Sequence, residues 1–228
     1  MTASKESVAT EQAESPAVDE PVPMTPEQKF FFDLRGWILL PSVLSAAEIE
    51  EMKAEVYAGA RQSYEGALQR LLDHPAIVGI LNKIFAGLTR VVWELEEVRA
   101  GQGGTTFLSG SHKAHFNYGG PDPFRPNISD SPWEDSMRAA MDEYSCPAGS
   151  VVIFTESLVH AANDWTNPDN SRCEVFNCYN SLWAQWHRLN LSHEKIEAMP
   201  PKRQSLFRGT WQLGAGGNRE YSLDNRSV

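Results

Sequence analysis

The sequence predicts a mainly β fold with flanking helices, its strands rolled into two facing sheets of the jelly-roll kind. Three observations predict it. Short runs rich in β-branched and aromatic residues, Trp37 to Leu40, Thr89 to Val98, Thr105 to Leu108, Ser150 to Phe154 and Cys173 to Tyr179, are separated by Gly, Pro, Asn and Asp clusters. Two helical stretches, Ser45 to Tyr64 and Leu68 to Phe85, stand beside these runs. Finally, 228 residues that are 41% hydrophobic and 22% charged suit one core-bearing domain with some disordered sequence attached.

The elements follow in order. Residues 1–24 carry five acids against one lysine and no aromatic residue, and are expected to be a disordered acidic tail. The domain is expected to span residues 25–213. Thr25 precedes Pro26 and Glu27, an N-cap with proline at the first helical position. After the Trp37 to Leu40 run, Ser45 stands three residues before Glu48, the signature of a capping box. Ile49, Met52 and Val56 then recur on one helical face. Asp73, His74 and Pro75 mark a fresh helix start, with His74 in a capping role. Val91, Trp93 and Leu95 alternate with Val92, Glu94 and Glu96, which reads as a half-buried strand whose other face exposes the two glutamates. Residues 119–132, rich in Gly, Pro, Asp and Asn, read as a long loop able to act as a lid. Trp133 to Glu143 reads as a helix capped by Ser131 or Asp130. Ser192 caps another that Pro200 and Pro201 stop. Residues 214–228 are expected to be a flexible tail.

Composition narrows the function. The net charge is −10 and no Lys/Arg cluster exceeds a pair, which argues against a nucleic-acid or anionic-membrane partner. No apolar run approaches the roughly 18 to 20 residues of a membrane span, and the N-terminus lacks the order of a signal peptide, so a cytoplasmic protein is expected. Cys146, Cys173 and Cys178 contain no CxxC pair, which fits reduced thiols.

The chemistry concentrates between Gly149 and Tyr179. Two apolar runs flank a turn there, His160 follows the first, and Arg172 opens the second. Antiparallel pairing of the two runs would aim both side chains into the space between the sheets. A neutral imidazole binds iron, and a guanidinium forks onto a carboxylate. By spacing alone, however, a lone histidine near a strand end is more often a hydrogen-bonded residue than a ligand. With GGTTFLSGSHK from Gly103 to Lys113 and the entry segment Phe31 to Glu55, this stretch resembles the phytanoyl-CoA dioxygenase family of iron(II)- and 2-oxoglutarate-dependent oxygenases, in order over residues 30 to 210. The resemblance implies a double-stranded β-helix, cupin-like, with helices bracing the major sheet. It implies iron(II) and 2-oxoglutarate as cofactors, His160 as a metal ligand and Arg172 as the ligand of the 2-oxoglutarate carboxylate. The partner it implies is a small organic substrate, of which an apolar one would suit walls formed by Phe107, Phe116, Tyr118, Trp183 and Trp186. Core or loop packing explains each of these aromatics singly as well.

The family's first two metal ligands arrive as His-x-Asp, and no His-x-Asp or His-x-Glu occurs in this sequence. In the family that motif precedes the strand resembling Thr89 to Val98, yet here Ile84 and Phe85 run almost directly into Gly87 and Leu88. The join reads as an internal deletion that removes one or two strands. A shortened gene model is one account of it, and a non-catalytic binding or scaffold relative on the same fold is the other. Neither Glu94 and Glu96 nor the pair His112 and His115 has a spacing that singles it out as a replacement.

Overall fold

A computed structural model describes residues 20–60, 63–84, 87–114, 128–181, 191–207, 211–213 and 219–221. The expected acidic tail therefore lies largely outside the described residues, as do His115, Phe116, Tyr118, Trp183, Trp186 and most of the expected lid. Within the tail's last residues, the Val22 N–H donates to the Pro75 carbonyl at 3.0 Å, and Met24 packs on the core.

Local capping chemistry starts the helices where the sequence expects. Helix α1, Pro26–Arg35, is capped by Thr25, whose hydroxyl accepts from the Gln28 N–H while the Gln28 side chain accepts from the Thr25 N–H. Strand β1, Trp37–Leu40, follows. Helix α2, Ala46–Tyr57, begins with the same reciprocal arrangement between Ser45 and Glu48. A 3-10 turn at Ala67–Leu72 leads to α3, Pro75–Leu81, where the His74 ring accepts from the Ala76 N–H.

Strand β2, Thr89–Glu94, β4, Ser150–Thr155, and β6, Glu174–Tyr179, join β1 in an antiparallel sheet of order β1-β4-β2-β6. A second, two-stranded sheet pairs β3, Thr105–Phe107, with β5, His160–Ala162. Two expectations are corrected here. The runs around the Asn-Pro-Asp-Asn turn do not pair with each other, because β2 lies between β4 and β6 and hydrogen-bonds both. Nor is β2 half-exposed: it is a central strand, covered on both faces, and it ends at Glu94. Central strands read as mixed alternation when one polar residue is buried among partners from elsewhere in the chain.

The core divides along this sheet. On one face, Val91, Trp93, Val151, Ile153 and Val175 pack against Met52 of α2, Leu68 and Leu71 of the 3-10 turn, and Ile77 and Ile80 of α3. On the other, Trp37, Val92, Val152 and Phe154 meet Phe107, Tyr144, Cys146 and Leu158 between the two sheets. Helix α4 is Glu134–Ala139, shorter than the expected Trp133 to Glu143, and the Ser131 hydroxyl accepts from the Trp133 N–H rather than from inside the helix. Helices α5, His193–Glu197, and α6, Pro201–Gln204, dock through Leu191, Ile196, Met199 and Phe207 onto Leu72, with Arg203 paired to Asp73 at 2.8 Å. Strands β7, Trp211–Leu213, and β8, Arg219–Tyr221, pair with each other. No helix among the described residues is long and apolar enough to cross a membrane.

Candidate functional site

The register of β3 and β5 sets His160 opposite Phe107 and Ala162 opposite Thr105. Alternation along a strand puts these four side chains on one face, and the full burial of Phe107 identifies it as the face turned to the larger sheet. His160 is exposed at the margin of this space. Its ring lies 4.8 Å from that of Phe154, and its Nδ1 sits 2.7 Å from the Leu158 carbonyl. A carbonyl oxygen only accepts, so Nδ1 donates here, and in the neutral ring Nε2 then carries the lone pair. That tautomer is the one that suits a metal ligand.

Arg172, in the segment leading into β6, reaches the other end of that face at Thr105. Its side chain is 14% exposed, and its Nη2 donates to the Thr105 hydroxyl at 2.9 Å and to Glu94 Oε1 at 3.4 Å. Glu174 Oε2 is closer, 2.6 Å from the same nitrogen, but it lies off the N–H direction, so this contact is an ion pair without hydrogen-bond geometry. The neighbouring Tyr144 hydroxyl donates to Glu94 Oε1 at 2.5 Å. Two strand-paired glutamates thus share one guanidinium, since Glu94 of β2 stands directly opposite Glu174 of β6. The sequence offered no signal for this cluster. Glu94 reads locally as a solvated strand residue, yet it is 1% exposed, and its compensating groups come from Tyr144, Arg172 and Glu174.

Electrostatics follow from the burial. Desolvation pushes the Glu94 carboxyl above its usual range, against the Tyr144 hydrogen bond and the Arg172 charge that hold it down. Glu174 is pushed up to about 7, first by desolvation and then by the Glu94 charge, with Arg172 opposing. Burial likewise drives the Tyr144 phenol up, so it stays a donor. Glu94 Oε2 and Arg172 Nε are buried without a hydrogen-bond partner among the described residues.

The other candidates are placed as follows. Phe107 is a core residue, stacked on Trp37 at 5.0 Å, rather than a pocket wall. His112 packs at the base of its loop against the turn after α1, where its ring lies over Gly36. Glu96 pairs with Lys53 at 2.7 Å on the helical side of the sheet. Among the described residues, no group of three or more His, Cys, Asp and Glu comes together to hold a metal ion. His160 suits iron(II) singly, but one imidazole does not make an iron site, so the described residues do not fit that cofactor and no iron-borne step can be built from them.

The comparisons with known proteins bear on this geometry. Residues 81–173 match the family model of phytanoyl-CoA dioxygenase (PhyH). HygX from Streptomyces hygroscopicus with iron bound superposes with a TM-score of 0.60 at 14% identity, over 76% of this chain and 94% of its own. HygX with nickel, 2-oxoglutarate and hygromycin B bound gives 0.57. The non-heme α-ketoglutarate-dependent carbocyclase SnoK from nogalamycin biosynthesis gives 0.51 at 17% identity, over 69% of this chain and 84% of its own. No curated protein matches the chain in sequence. At these identities the structural likeness speaks for the fold alone, and the phytanoyl-CoA dioxygenase model matches the segment from the end of α3 to the approach of β6.

Proposed function

We propose that this chain is a 2-oxoglutarate-binding protein of the iron(II)/2-oxoglutarate dioxygenase type, in which Arg172 receives a carboxylate of the 2-oxo acid and a small organic substrate enters beside His160. The observation that carries this is Arg172: a guanidinium held mostly out of water between two sheets and hydrogen-bonded to Thr105, which shares a strand face with His160. In such a place a charge-assisted pair with a carboxylate is stronger than in bulk water. The Thr105 hydroxyl, 2.9 Å from Nη2, fixes the guanidinium and leaves it oriented. This chain's own residues bind and orient the 2-oxo acid.

Calorimetric titration of the full chain with 2-oxoglutarate at pH 7 tests the proposal. Millimolar binding is expected, on the order of 4 kcal/mol. It should be lost in Arg172→Ala and weakened in Arg172→Lys, which lacks the planar fork. Equal affinity of Arg172→Ala and wild type overturns the reading. A second reading, a non-catalytic binding relative on the same fold, is favoured by the two glutamates already facing Arg172. Iron content after stripping and reconstitution, with succinate release in iron(II), ascorbate and 2-oxoglutarate, separates the two. One retained iron per chain with catalytic succinate release selects the dioxygenase, and neither selects the binding relative.

A further inference from the structure

We infer that Glu174 occupies the position at Arg172 that a ligand carboxylate would take, so that a small carboxylic acid enters this site only by exchanging with that internal carboxylate. This deepens the proposed function and rests on Arg172 being the carboxylate receptor. Three features single out Glu174 as the group that gives way. Its side chain is 24% exposed, whereas Glu94 is 1% exposed. Its contact with Nη2 lacks hydrogen-bond alignment, whereas Glu94 Oε1 accepts from both Tyr144 and Arg172. It also lies on β6, an end strand of the four-stranded sheet, whereas Glu94 is fixed between two ladders on β2.

Charge explains why the exchange matters. With both glutamates ionised, the three groups sum to one negative charge, and an arriving carboxylate meets repulsion at the one cation that attracts it. With Glu174 neutral, Arg172 balances Glu94 and a ligand carboxylate adds to a neutral cluster. Glu174 is thereby a specificity-determining residue. It weakens binding of free carboxylates by the fraction of molecules in which it is charged.

The test is calorimetric titration with 2-oxoglutarate and, in parallel, succinate, on the full chain at pH 6 and pH 8. The variants are Glu174→Gln, Arg172→Ala and the double variant. Among the described residues, the charged and titratable groups that face Glu174 are Glu94 from β2 and Arg172, with the Tyr144 hydroxyl behind Glu94. Wild type is expected to bind about tenfold tighter at pH 6 than at pH 8. Glu174→Gln should bind about tenfold tighter than wild type at pH 8 and show little pH dependence. Both variants without Arg172 should lose binding. If Arg172→Ala binds like wild type, or no form binds at either pH, the proposed function fails. If Arg172→Ala abolishes binding while wild type is independent of pH and equal to Glu174→Gln, the exchange is overturned and the binding site stands. The wild-type pH comparison needs no variant, so poor folding of Glu174→Gln leaves the inference testable.

Discussion

At the scale of single residues, Glu174 also governs stability. Burial and the Glu94 charge push its carboxyl up to about 7 in the fold, from 4.5 for an ordinary glutamate. Between those values the folded chain keeps a proton that the unfolded chain has released, so stability falls as pH rises through the window and the penalty is complete above it. Glu174→Gln is therefore expected to stabilise the protein by about 1–3 kcal/mol at pH 8, a few degrees in melting temperature, and to leave it unchanged near pH 4. Thermal melts of both proteins at the two pH values check this, and an equal difference at both would refute it. Glu94 shows where reading the sequence stops. Its alternation with Trp93 and Leu95 is the pattern of a solvated face. The groups that make its burial tolerable, Tyr144 and Arg172, are distant in sequence and announce nothing locally.

At the scale of elements, what was legible is what is local. Thr25, Ser45, His74 and Ser192 each sit at the N-cap that the sequence indicates, because a cap is completed within two or three residues. Ser45→Ala removes the hydroxyl that accepts from Glu48 N–H and should cost about 1 kcal/mol in denaturant unfolding. The order of the strands was not legible, since nothing near β4 says that β2 rather than β6 lies beside it. The turn before β3 gives a sharper test. Gly103 has φ of +103°, and a Cβ there would stand 2.2 Å from the Asp164 carbonyl oxygen and 2.6 Å from Trp165 Cα. Gly101 has φ of +76° and open space around it. Gly101→Ala is expected to cost about 1 kcal/mol from backbone strain alone. Gly103→Ala should cost roughly 2–4 kcal/mol, because the backbone of the β5–β6 connection must also move. Similar losses for the two would mean that this connection yields easily.

At the scale of the molecule, the resemblance to the phytanoyl-CoA dioxygenases was readable from residue order, and the antiparallel sheets with helices from short strands and paired helical stretches. The strand deficit expected from the missing motif concerns the margin of the larger sheet. Among the described residues β6 has one ladder partner, β2, and Phe176 on it is 45% exposed. An end strand with an exposed aromatic invites pairing with another chain. Light scattering is expected to show association that grows with protein concentration and is reduced by Phe176→Lys, while a variant indistinguishable from wild type would place the contact elsewhere. The strand order has a consequence in time as well. Trp37 pairs with Phe154, and Val92 with both Val152 and Phe176, so every ladder of the sheet joins segments far apart along the chain. During synthesis β1 and β2 emerge long before their partners, and no strand of this sheet can close until β4 has been made. Folding of this sheet therefore waits until β4 and β6 have been made, and until then the nascent chain exposes Val91, Val92 and Trp93, which makes its yield a question of chaperone protection as well as of final stability.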